Sequence, residues 1–178
     1  WAIALLVQRQ VRMRGEVGLA VFREDSRAFR EHLADWTLIA DYGHVKSEWD
    51  PGEPIPPAVT TAYGTSPDGD RATIRIFDTT HGLWFPSASR ALTLPVSRFR
   101  FHTPDSIPYM VPEAALLGLA PNAGPDQHAD MWAALPFLDG QGKLWLDRAL
   151  AMTIPAHDWR SVLTPPRPPA PPQEDSEE

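Results

Sequence analysis

The spacing of apolar and polar positions changes along this chain, from a period of two to a period near 3.6. Residues 1–7 are apolar and read as a strand or the start of a helix. Residues 16–22 read as a strand apolar on both faces. Asp25 and Ser26 then offer an N-cap for a helix over 27–34, with Phe29 and Leu33 four apart on its buried side. Residues 36–40 predict a second strand. Ile74 and Ile76 alternate with Thr73 and Arg75, so 71–77 reads as a half-buried strand, and 98–102 alternates again. Between the strands at 36–40 and 71–77, the stretch 43–70 carries Pro51, Pro54, Pro56, Pro57 and several glycines and reads as loop.

After Met110 the pattern turns helical. Pro112 suits a first helical position and opens a helix over 113–120. Pro125 opens a second, through His128, Met131, Trp132 and Leu135, that stops near Pro136. A third covers 141–152, with Leu146 and Leu150 on one face. Strands first and helices later predict an α+β fold with a mixed sheet. No internal repeat is visible. Trp36, Trp49, Trp84, Trp132, Trp145 and Trp159 are expected to form core and pocket walls.

Composition narrows the classes. The chain has 178 residues and a formal charge of −7, which predicts a single domain with or without a tail. An acidic chain without a basic cluster argues against nucleic acid as its main partner. With no cysteine, disulfides, thiolate nucleophiles and Cys-type zinc sites are excluded, which is compatible with the cytoplasm. No stretch reaches the ~20 apolar residues of a membrane span. The apolar run at 1–7 is short and lacks signal-peptide flanks, and a chain beginning at Trp1 is expected to be a fragment or to lack an N-terminal element. Residues 164–178 hold six prolines and four acids, with no large apolar side chain to bury. They are expected to form a disordered, polyproline-like acidic tail outside a folded unit at 1–163.

The residues that could carry chemistry each have a structural reading beside the functional one. Glu16 is a candidate metal ligand or a surface ion-pair partner of Arg12 or Arg14. Asp78 is a candidate second acid or a strand-end turn carboxylate. Glu113 could bind an amine, or could complement the dipole of the helix it opens. His128 and Asp130, two apart on a helix, point to different faces and make a poor metal pair.

Several landmarks occur in a telling order. They are Val21-Phe22-Arg23-Glu24-Asp25 with Leu33-Ala34-Asp35-Trp36, then Gly82-Leu83-Trp84, then Ile107-Pro108-Tyr109-Met110-Val111-Pro112-Glu113 with Leu116-Leu117. Asp130-Met131, Leu135-Pro136-Phe137-Leu138-Asp139, Leu144-Trp145-Leu146 and Pro155-Ala156-His157-Asp158-Trp159 complete the set. This order resembles the nucleotidyltransferase-like proteins related to lincosamide and aminoglycoside nucleotidyltransferases, over about residues 1–163. The resemblance implies a small mixed sheet flanked by helices with a helical C-terminal part. It also implies Mg²⁺-dependent transfer of a nucleoside monophosphate from a nucleoside triphosphate to a hydroxyl of a small molecule such as an antibiotic.

In that family two acids at i and i+2 of one strand aim both carboxylates at one ion. Here those positions are Glu16 and Gly18, and the third acidic position, on a later strand, falls on Arg75. The glycine turn that admits the triphosphate is absent from the run Ala4-Leu5-Leu6-Val7-Gln8-Arg9-Gln10. Basic positions of the family fall on Pro86, Ser87, Gly118, Leu119 and Asp126. The expectation is therefore a catalytically impaired member, a pseudoenzyme with a binding role or a protein partner. The alternative is a divergent transferase using Glu16 and Asp78, with Glu16 on the metal, and Glu113 and Trp84 contacting substrate. Mg²⁺, a nucleotide and a small acceptor belong to that alternative.

Overall fold

A computed structural model describes residues 2–8, 17–86 and 89–163. Five strands form a mixed sheet: β1 (Val17–Phe22), β2 (Thr37–Asp41), β3 (Lys46–Glu48), β4 (Thr61–Thr65) and β5 (Arg71–Phe77). Their order is β1-β5-β4-β2-β3, with β1 parallel to β5 and the other pairs antiparallel. With its helices, this makes the α+β class read from the periodicity.

The predicted alternation in β5 is realised. Ala72, Ile74 and Ile76 are buried while Arg71 and Arg75 are exposed. They share the buried face with Val21, Leu38, Ala40 and Ala62, under Trp49, Ile55 and Val59 from the loops. Helix α2 (Ser26–His32) lies over the same face through Phe29, joined by Leu33 just past its end. It starts earlier than the expected 27–34, because a short 3-10 turn over Arg23–Asp25 precedes it. Asp25 makes no side-chain cap bond; instead the Ser26 hydroxyl donates to the Arg23 carbonyl at 2.6 Å.

Two of these strands lie within the stretch read as loop. β3 is exposed along its whole length, so it carries no apolar signal. β4 is central, yet its inward residues are Ala62 and Gly64. A Cβ on Gly64 would meet Leu38 Cδ2 and Trp36 Cε3, each at 3.0 Å, so only glycine lets those large side chains close over the strand.

Smaller strands follow. The hairpin of β6 (Thr79–Thr80) and β7 (Leu83–Trp84) turns on His81 and Gly82, whose φ angles of 52° and 73° suit a two-residue I′-type turn. β8 (Leu94–Pro95) pairs with β7, and β9 (Arg100–His102) pairs with β10 (Pro108–Met110).

The helical part holds α3 (Pro112–Leu119), α4 (Pro125–Ala134), α5 (Gly140–Thr153) and α6 (Arg160–Leu163). Pro112 and Pro125 stand at the first helical positions, as their missing N–H and fixed φ favour. The segment read as strand or helix start is helix α1 (Ala2–Leu6). Its Ile3 enters the helical core with Leu116, Met131, Leu146, Leu150, Trp159 and Leu163. Trp132 departs from expectation: it is 56% exposed, because its neighbour Met131 takes the inward position of α4.

Sheet and helices meet in an aromatic cluster. Phe22 and Phe77, at the ends of β1 and β5, pack on Trp84 and Phe99, with ring centroids 4.8–5.6 Å apart. Trp145 of α5 continues the stack, 6.1 Å from Trp84.

Candidate functional site

Strands β1 and β5 run side by side. Gly18 pairs with Thr73 and Ala20 with Arg75. In a parallel pair these four side chains share one face, and it is the face turned away from the Ile74 and Ile76 core. Gly18, Ala20 and Arg75 are all exposed there. Glu16 lies outside the described residues.

The same register explains Asp78. Phe22 pairs with Phe77, so the next residues, Arg23 and Asp78, leave the two strand ends together. Arg23 Nε donates directly to Asp78 Oδ1. The other guanidinium nitrogens donate to Pro56 O at 2.8 Å and Val59 O at 2.9 Å. Arg23 thereby pins the 50–60 loop over the buried face of the sheet. Asp78, with its side chain 53% exposed, is the outer member of that arrangement.

Glu113 stands elsewhere, in the first turn of α3, and is only 7% exposed. It borders a pocket of about 370 Å³. One wall is a face of α5: Gln141, Leu144, Trp145 and Arg148, at the i, i+3, i+4, i+7 spacing of a helical stripe. The other wall is the segment 91–95, and Arg98 closes one side. The α5 wall is fastened at several points. Trp145 Nε1 donates to Thr93 O at 2.9 Å, and Arg98 donates to Gln141 Oε1 at 2.7 Å. Asp139 caps α5, accepting from the Gly142 N–H at 2.6 Å.

Burial pushes the Glu113 carboxyl above the usual glutamate range. Its own backbone N–H opposes this, the nearby Asp139 charge adds to it, and Arg98 counters it in part. Among the described residues no side chain donates a hydrogen bond to Glu113. The Gly142 backbone of α5 passes against the acid: a Cβ there would sit in ordinary contact, 3.5 Å from the Glu113 carboxyl carbon.

Of the expected site residues, Glu113 and Trp84 come into one neighbourhood. Trp84 is buried, packed with Val111 and Ala114 beside α3, and it touches the pocket through Trp145. Asp78 does not line the pocket; it sits beyond Phe77 at the far side of the aromatic stack. Arg98, Gln141 and Arg148 were not singled out from the sequence. The signal that could have found the latter two is their common stripe on α5 with Leu144 and Trp145.

His128 and Asp130 diverge as expected. Asp130 is fully buried, whereas His128 Nδ1 accepts from Trp159 Nε1 at 2.9 Å. His157 braces the same tryptophan: its Nδ1 accepts from the Trp159 backbone N–H, and its Nε2 faces Ala120 O.

Divalent cations of the Mg²⁺ type take oxygen ligands, chiefly carboxylates. The exposed β1–β5 face offers the Arg75 guanidinium and no described carboxylate, so its described residues do not fit such an ion. Among the described residues no group of three or more His, Asp or Glu side chains could hold a metal. No helix of the described residues is long and apolar enough to cross a membrane. No protein-family model matches the chain, and no curated protein matches it.

Proposed function

We propose that this protein is a nucleotidyltransferase-like scaffold that binds a small molecule and has lost nucleotidyl transfer. One observation carries the reading: Gly18 and Arg75 stand on the same face of adjacent parallel strands, where the resemblance calls for carboxylates. Phosphoryl chemistry of this kind works by positioning and by neutralising charge with metal ions. A guanidinium at a ligand position repels the cation that would do this. Asp78 offers no free replacement, since Arg23 holds it.

What remains on the scaffold is the pocket under Glu113. Its size falls at the lower end of small-molecule sites, roughly 300–1,000 Å³. Its lining mixes apolar side chains, Leu92, Leu94 and Trp145 among them, with the polar Arg98, Glu113, Gln141 and Arg148.

Calorimetric titration with Mn²⁺ and a non-hydrolysable nucleoside triphosphate tests the loss of transfer. The expected result is no saturable heat. Micromolar binding that disappears in Glu16→Gln and in Asp78→Asn would overturn the reading and favour a divergent transferase using those two acids.

A further inference from the structure

The pocket bordered by Glu113 is lined by one buried acid and two exposed arginines. Glu113 is buried; the nearby Asp139 adds negative charge, which Arg98 offsets in part without touching the carboxylate. At the rim, Arg148 is exposed and makes no ion pair or hydrogen bond among the described residues. Arg98, also exposed, commits one N–H group to Gln141 and keeps its others. Leu92, Leu144 and the Trp145 ring supply apolar lining.

We propose that this pocket takes a small zwitterion, with a primary ammonium group on Glu113, an anionic group on Arg148 and Arg98, and an aliphatic stretch between them against Leu144 and Trp145. The inference rests on the small-molecule reading above and names its ligand class. A buried carboxylate without a cationic partner in contact is costly, and an entering ammonium supplies that partner together with a charge-assisted hydrogen bond. A simple amine would gain this contact but leave the two guanidinium groups unused. A simple carboxylate would meet the arginines but leave Glu113 uncompensated. Only a molecule with both ends satisfies both.

The test is calorimetric titration of the protein with straight-chain ω-amino acids of increasing length, beside alkylamines and alkanoates of matched length. At the best length the amino acid should bind about tenfold more tightly than either single-ended analogue, the gain expected of one further charged hydrogen bond. Glu113→Gln should reduce the amino acid to the affinity of the alkanoate. Arg148→Ala should reduce it to that of the alkylamine. The indole N–H resonance of Trp145 should shift with the same ligands, and because Arg148 is exposed its variant keeps the test usable if Glu113→Gln fails to fold.

Amino acids that bind no better than the amines at every length, or variants that bind as the parent does, would overturn the proposal. So would the absence of any response at Trp145. Single-ended ligands that bind with no advantage for the zwitterion would refute the ligand class while leaving a small-molecule pocket in place. Loss or retention of transfer is decided separately, by the metal–triphosphate titration.

Discussion

The sheet half and the helical half of this molecule treat buried charge in opposite ways. In the sheet half, the buried Arg30 and the partly buried Arg23 end largely on backbone carbonyls. Arg30, 2% exposed, donates to Trp49 O at 3.0 Å and to Leu33 O at 2.6 Å, and Arg23 ties down Pro56 and Val59. Each cation there is answered by the chain's own loops, and the work is structural. In the helical half, Glu113 is buried beside a pocket with a second acid near it and a cation only at the rim. Satisfied charges hold a fold together, whereas a charge left open to a cavity is what a ligand can recognise.

The largest expected effect asks whether the helical half rests on apolar packing alone. Leu146→Ala should cost about 3–4 kcal/mol, since Leu146 is fully buried among α3, α4 and α5 and would leave a cavity. Urea unfolding gives the value, and a cost under about 1 kcal/mol would mean the core collapses around the gap. Next comes the claim that arginines organise the sheet half. Arg30→Met should cost about 2 kcal/mol by leaving the Trp49 carbonyl unpaired and the Leu33 carbonyl with only the Trp36 N–H. A neutral result would show that packing of the stem, not the guanidinium, matters.

Two glycines sharpen the contrast within the sheet. Gly64→Ala should cost about 1–2 kcal/mol by overpacking Trp36 and Leu38. Gly18→Ala, with nothing within 4 Å of the new Cβ, should gain about 0.5 kcal/mol. Thermal unfolding of both variants separates a packed strand face from an open one. Asp78→Asn should cost no more than about 0.5 kcal/mol, as expected of the exposed member of an ion pair whose arginine keeps two carbonyls.

The smallest effect is a slope rather than a step. Burial holds the folded Glu113 carboxyl above its ordinary value of 4.5. Between the two values the folded state binds more protons than the unfolded one. Stability contributed by Glu113 therefore falls as pH rises from 4.5 through the folded value. Urea titrations over that range should show the decline in the parent and a flatter curve in Glu113→Gln. An equal slope in both would place the Glu113 carboxyl in ordinary solvent.

How far the sequence could be read depended on which side chains announce themselves. β5 was legible because Ile74 and Ile76 alternate with polar neighbours, and α3 and α4 because proline marks their first turns. β4 was not, because a central strand whose inward residues are Ala62 and Gly64 has no bulk to show. β3 has no buried face at all. Among the candidate residues, Glu113 was legible as an acid opening a helix, but its pocket was not. The walls come from 91–95, Arg98 and α5, segments far apart in the chain that only tertiary packing assembles. Trp132 shows the opposite error, in which a large apolar residue is assumed buried although the helical period turns it outward.

Ile3 and Leu163 belong to one apolar cluster, although the whole sheet lies between them in the chain. During synthesis, α1 emerges long before the helices that bury it. Until Leu92, β10 and then α3 and α4 follow, Ile3 and Leu6 lack their native partners and remain open to other apolar surfaces. Contacts of such large sequence separation form late and slowly. The sheet can organise around Leu38 and Ile74 as the chain grows, while the helical core closes only after α6 is made. The short apolar helix therefore waits through the synthesis of the whole sheet before most of its partners exist.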